Sequence, residues 1–370
     1  MDKPTTNPHA TDDSRLAVAL LVALAFCLYL PLKNAPFHYE DTAWLKAVHQ
    51  NILWGWPSRS FINWTFQLQA EWAVIYGQPI NPQHFHVVNS TIHIINASLL
   101  WVFARPLIGR LAAVFAVATF AIHPIQSQAV SYVAARGDLL MATWALLALI
   151  SIRYLPRSLY LLAGALVLAG WTKEIGVVVT ALALWTCLVQ RVHLRTIGIV
   201  GAVVAVVCLA QAPMLYAWMT LSPNAGGSTV SWWQFVGTQI GACLYLLSKV
   251  AWPAGLSIDH DMVTLSIMWG LLGSWLTFLS IVVMVMLWHQ KSARVAIWAN
   301  GWLIISVVPR IFVPQYDWMV ERHLYLAMVA LSCVVGLLLE ALWRGKDGTV
   351  WLDTFLKHFR GFDITKTVAR

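Results

Sequence analysis

Apolar stretches of membrane-helix length recur along the chain, divided by short polar turns. The candidate spans are 16–31, 87–104, 111–122, 139–152, 159–171, 175–189, 196–219, 234–252, 266–288, 295–308 and 324–343. A helix needs about 20 apolar residues to cross the hydrocarbon core, and it satisfies its own backbone hydrogen bonds there. Barrel strands would be about half as long and would alternate in polarity, which these runs do not. The chain is therefore expected to be an all-α polytopic membrane protein with about 10–11 transmembrane helices.

One longer polar interval breaks the series at 32–86. Within it, "DTAWLKAVHQNILWGW" reads as an amphipathic helix. Asp41 and Thr42 can cap its start, and Trp44, Leu45, Val48, Ile52 and Leu53 recur at helical spacing. Trp54, Trp56, Trp64 and Trp72 suit the headgroup level, where amphipathic rings settle. The rest divides into a polar tail 1–15, the membrane region 16–343 and a basic tail 344–370 that is expected to lie on anionic lipid. No small-residue cleavage site follows 16–31, so that run is expected to be a retained helix.

Composition agrees with the pattern. Of 370 residues, 59% are hydrophobic and 11% charged, where a soluble domain carries roughly 25% charged. The five cysteines all fall in apolar runs without CxxC spacing, which predicts buried packing residues and no disulfide framework.

The net charge of +8 raises the possibility of nucleic acid, but its distribution points to the membrane. Basic residues crowd the turns Arg105/Arg110, Arg153/Arg157, Arg191/Arg195 and Lys291/Arg294, together with both tails. The opposite side keeps Lys33, Lys46, Arg59, Arg136, Lys173, Lys249, Arg310 and Arg322. By the positive-inside rule both termini are cytoplasmic. Eleven crossings would contradict that, and the weak member is 234–252, which carries Lys249 and is followed by Pro253. It is expected to be re-entrant or interfacial.

Candidate chemistry gathers on the non-cytoplasmic side. Glu40 and Asp41 follow the first span. Arg136 and Asp138 open another, after His123-Pro124, and Lys173-Glu174 sits between two spans with almost no loop. Asp259, His260 and Asp261 form one cluster, and Arg310, Glu321, Arg322 and Tyr325 another. Ionisable groups beside the bilayer are costly and by default mark a functional cavity. Any one pair could equally be a local ion pair anchoring a helix end.

Mixed carboxylates and fixed cations suit transfer from a phosphate-linked donor. A carboxylate takes the proton of an attacking hydroxyl, and Arg or Lys meets the charge on the departing phosphate. His86 and His93 share a helix face, as do Asn89 and Asn96, and read as helix–helix hydrogen-bonding groups or site lining, with His123 beside them. No cofactor is expected. A divalent metal at Asp259-His260-Asp261 stays open as the less favoured alternative.

The blocks "FHVVNSTIHIINASLLWVF", "FAIHPIQSQAVSYVAARGDLLMA", "LAGWTKEIGVVV", "LYLLSKVAWPAGLSIDH" and "VERHLYLA" occur in order. As an ordered set they resemble the membrane region of the transmembrane TPR-containing protein O-mannosyltransferases, in the GT-C glycosyltransferase superfamily. The resemblance covers roughly residues 16–343. It implies a GT-C-type bundle and an inverting transferase. Such an enzyme takes mannose or another sugar from a polyprenyl-phosphate donor on the non-cytoplasmic face.

It further implies that Glu40 and Asp41 form the acidic pair of the first outer loop. In the same way Arg136, Asp138, Lys173, Glu174, Glu321 and Arg322 match blocks that line the donor site. No TPR repeats follow the last span here, which takes away an acceptor-binding module and leaves sugar and acceptor open, the acceptor being a protein or a glycan. A bacterial inner membrane with the site facing the periplasm is the expected location. The competing reading is a transporter or flippase for a lipid-linked or anionic solute. Its charges should then line a path through the midplane, whereas 266–288 and 324–339 are uncharged. A non-catalytic scaffold is the third reading.

Overall fold

The computed structural model describes residues 19, 21–29, 31, 34–38, 41–42, 59–153, 158–192, 194–221, 232–257, 260, 267–287, 293–312 and 320–344. Among them there is no strand, and the chain is an all-α polytopic membrane protein. After a helical stretch at 21–29 come α1 (Ser60–Ile75), α2 (Pro82–Ile108), α3 (Arg110–Ile122), α4 (Arg136–Arg153), α5 (Leu159–Thr172) and α6 (Val177–Gln190). Then follow α7 (Leu194–Leu221), α8 (Trp232–Ala251), α9 (Ile267–Leu287), α10 (Arg294–Phe312) and α11 (Tyr325–Arg344).

Pro82–Ile108, Val133–Arg153, Leu194–Pro213 and Glu321–Arg344 are long and apolar enough to cross a membrane. Arg110–Ile122 with Pro124–Ser131, bent by 48°, would make a fifth. Leu159–Thr172, Glu174–Gln190, Leu271–Leu287 and Arg294–Pro309 are apolar but shorter. The helices thus follow the apolar runs. The helix α8, at 20 residues, carries Gln234, Gln239 and Lys249 and lies outside both sets.

Local chemistry sets the boundaries. Helix α2 starts five residues before the expected 87 because Asn81 caps it, its side chain accepting from the Gln83 N–H at 3.0 Å, with Pro82 at the first turn. It ends at Gly109, whose φ of +86° is a conformation that side-chain-bearing residues avoid. The reversal there packs α3 antiparallel on α2, so that His93 meets the Ala121 carbonyl at 3.1 Å.

The bundle centre lies between α2, α3, α4 and α11. The helix α3 presents Ala112, Ala113, Ala116 and Ala121, all fully buried, and Gly336 of α11 sits directly against its backbone. Such small residues let helices approach closely in lipid. At the margin, α7 exposes Val206 and Leu209, and α9 exposes Trp275, Phe278 and Met286, as surfaces facing acyl chains would.

One expectation is adjusted, and another falls largely outside the described residues. Of the proposed amphipathic helix at 41–56 only Asp41 and Thr42 are described, as helical; the remainder lies outside the described residues. A different helix, α1, occupies the second half of the outer interval. Cys27 is exposed, not buried like Cys187 and Cys333, because its side of the 21–29 helix faces outward; the described cysteines are all free.

Candidate active site

The polar residues gather around the break between α3 and α4. Helix α3 stops at His123-Pro124, since proline cannot continue the hydrogen-bond ladder. His123 Nδ1 accepts from the Ile125 N–H at 3.2 Å, so its proton sits on Nε2, which donates to the Val250 carbonyl at 3.0 Å. A short helical turn, Ser127–Ser131, ends at Tyr132, where the backbone is extended, and a single 3-10 turn (Val133–Ala135) leads into α4.

Asp41 reaches this break from the first outer interval. It is 1% exposed, and its two carboxylate oxygens accept from Ala134 N–H at 2.8 Å and His38 N–H at 3.1 Å. Burial pushes its carboxyl above the ordinary carboxylate range, against the opposing pull of those backbone donors. Glu40 lies outside the described residues. His86 stands one turn before Asn89 on α2, its Nε2 at 3.2 Å from the Ala35 carbonyl.

Arg136, also among the expected donor-binding cations, is completely buried. Its Nε donates to Asn89 Oδ1 at 2.9 Å, Nη1 to Thr65 Oγ1 at 3.2 Å and Nη2 to Gln69 Oε1 at 2.6 Å. The guanidinium stacks over Phe66 at 4.2 Å and lies 5.6 Å from Phe85. Each nitrogen is thus engaged by α1 or α2, and the residue fastens both to the start of α4.

Asp138 pairs with Lys173, whose Nζ donates at 2.7 Å, and not with its neighbour in sequence. Glu174 receives Arg59 through Nε at 2.5 Å and Nη2 at 3.3 Å. Two adjacent residues at the α5–α6 break therefore hold two separate elements.

A second group faces the same break from the other side. Glu321, 2% exposed, accepts from Ser257 N–H at 2.7 Å and stands 3.0 Å from His260 Nε2. Arg322 donates its backbone N–H to Gln128 Oε1 at 2.8 Å, and its guanidinium lies over the Tyr132 ring at 5.0 Å. Asp259 and Asp261 lie outside the described residues, as does the Arg310 side chain. No cluster of three or more metal-ligating side chains occurs among the described residues.

Tyr325 and His93 lie deeper, away from the break. His93 Nε2 faces the Ala121 carbonyl, so it carries the proton and Nδ1 accepts from the Tyr325 hydroxyl at 2.7 Å. That oxygen in turn accepts from Asn96 Nδ2 at 3.2 Å, and Asn96 also donates to the Leu139 carbonyl at 2.8 Å. The polar face of α2 thus ties four helices together.

Arg59, Thr65, Gln69, Gln128 and Tyr132 were not among the expected site residues. Arg59 and Glu174 are 115 positions apart, and no local signal pairs them. Asn89 did carry one: it shares the face of Asn96, and it holds the carbonyls of Tyr132 and Val133 at 3.2 and 3.4 Å.

The class so defined is a multi-pass helical membrane protein with a buried carboxylate and several cations around one helix break. No family model and no solved structure matches the chain. Two proteins of Drosophila melanogaster do. Protein O-mannosyl-transferase Tmtc1 is 32% identical over 168 residues, 41% of this chain and 20% of that protein. Protein O-mannosyl-transferase Tmtc2 is 32% identical over 175 residues, 40% of this chain and 19% of that protein. The chain thus spans about a fifth of the length of the curated relatives it matches, and is distantly related to them.

Proposed function

We propose that the protein is a membrane glycosyltransferase of GT-C type. It moves mannose or another sugar from a polyprenyl-phosphate donor to a hydroxyl of a protein or glycan, on the non-cytoplasmic face. A carboxylate of the Glu40-Asp41 pair takes the acceptor hydroxyl's proton as its oxygen attacks the anomeric carbon. The bond from that carbon to the phosphate oxygen breaks with inversion, and the polyprenyl phosphate leaves with the electron pair. Lys173 and Arg322 are the cations proposed to meet its charge.

The observation that carries this reading is the convergence of Asp41, Lys173 and Arg322 on the α3–α4 break. It occurs in a chain related, over about two fifths of its length, to proteins named as O-mannosyl-transferases. A bacterial inner membrane, with the site facing the periplasm, is the proposed setting.

The test compares glycoproteins and glycolipids by mass spectrometry from cells with the wild-type chain, without it, and with Asp41→Asn or Glu40→Gln. A sugar mass increment present only with the wild-type chain, and lost in at least one variant that still inserts at normal level, supports the reading. Identical products with and without the chain would refute it.

A further inference from the structure

One carboxylate and one cation of the proposed reaction, Asp41 and Arg322, meet the same short piece of chain. Ala134 N–H binds Asp41 Oδ1, and two residues earlier the Tyr132 ring lies under Arg322. Two residues of extended chain span at most about 7 Å. The stretch itself is fixed from behind, because Asn89 Nδ2 holds the carbonyls of Tyr132 and Val133. The Arg322 backbone is fixed separately, since Gln128 Oε1 binds its N–H and the neighbouring Glu321 is anchored by Ser257 and His260.

An arginine has a long side chain with about 2 kcal/mol of rotamer entropy, so a pinned backbone alone does not aim its head. A ring beneath it does. Stacking uses the flat face of the guanidinium and keeps its in-plane N–H fork in one orientation, the geometry in which arginine grips phosphate oxygens two at a time. The Tyr132 ring is itself buried, so the surface it offers is rigid.

We propose that Tyr132 is a positioning residue that aims Arg322 at the donor phosphate, with Gln128 holding the Arg322 backbone. The Tyr132–Ala134 step thereby sets the spacing between that cation and Asp41. This rests on the reading of the site as one for a polyprenyl phosphate. Tyr132 acts through its aromatic face, so its hydroxyl is dispensable.

The experiment measures binding of farnesyl phosphate, with farnesol as the uncharged control, to the purified full-length chain in lipid nanodiscs. Donor and acceptor KM follow from turnover of the same samples. Tyr132→Leu is expected to weaken farnesyl phosphate binding by about 3- to 30-fold, the range from an exposed to a desolvated cation–π contact, and to leave farnesol unchanged. Donor KM should rise by the same factor while acceptor KM does not. Tyr132→Phe should restore binding to near wild type. In an Arg322→Gln background, Tyr132→Leu should have no further effect, since the two act through one contact. Tyr132→Met, whose flexible chain adapts to the space left by the ring, replaces leucine if that variant loses its melting transition. A folded Tyr132→Leu or Tyr132→Met chain with wild-type affinity would overturn the proposal, as would a Tyr132→Phe chain as impaired as Tyr132→Leu. Wild-type protein that binds farnesyl phosphate no better than farnesol would instead overturn the phosphate-site reading, and this proposal with it.

Discussion

Asp41 combines two properties that pull against each other. Burial destabilises its ionised form, while the N–H groups of His38 and Ala134 stabilise it, and burial prevails. A base must be ionised to act, so transfer is expected to rise with pH through the Asp41 pKa. The acid limb of kcat/KM should then lie above the usual carboxylate value of about 4. The stability effect has the opposite sign: the fold favours the protonated carboxyl, so this contribution is lost as pH rises through the folded pKa. Measured pH–rate profiles for wild type and Asp41→Glu decide the matter. A limb at the ordinary carboxylate position, unmoved by the substitution, would take the proton-accepting role away from Asp41. Arg136 shows the reverse case. In sequence it is one more outer cation, yet in the fold its donors are spent on Asn89, Thr65 and Gln69.

At the scale of elements, α3 and α11 approach each other closely. A Cβ on Gly336 would fall 2.3 Å from the Ala112 carbonyl oxygen and 2.8 Å from the Ala116 nitrogen, both backbone atoms that cannot swing aside. Gly336→Ala is therefore expected to separate the helices and destabilise the protein by about 1–3 kcal/mol. Thermal unfolding in detergent measures it; an unchanged melting temperature would show that the crossing yields easily. The sequence makes such helices legible because each must cover its own backbone with apolar side chains over many turns. It fails for α1, which buries Ile62, Phe66, Ala70 and Ala73 on one side and exposes Trp64, Leu68 and Trp72 on the other. Apolar residues on both faces leave no amphipathic signature. The acids and cations of the site were legible as residue types next to apolar runs. Their partners were not, since Arg59–Glu174 and Lys173–Asp138 join separate elements.

For the whole molecule the open question in the sequence was whether α8 crosses the membrane, and the ends of its neighbours constrain the answer. Helix α7 runs toward the site: Cys208 lies near Thr180 at the start of α6, and Gln211 packs on Gly170 at the end of α5. Ten further residues carry α7 about 15 Å beyond Gln211, so it finishes on the site side. Helix α8 finishes there too, because Val250 meets His123 and the following Ser257 and His260 meet Glu321. A chain that leaves α7 and α8 on one side has made no net crossing between them. The count of crossings is then expected to be even, and charge predicts that the segments 1–15 and 344–370 lie on the face of the basic turns. In a chain stripped of its native cysteines, single cysteines at Ser222 and Ser257 should react with a membrane-impermeant maleimide from the same side. A cysteine at Ser292, between α9 and α10, should react from the other. If Ser222 labels together with Ser292, α8 is a full crossing, the tails lie on opposite faces, and the contacts at Val250 no longer define its topology.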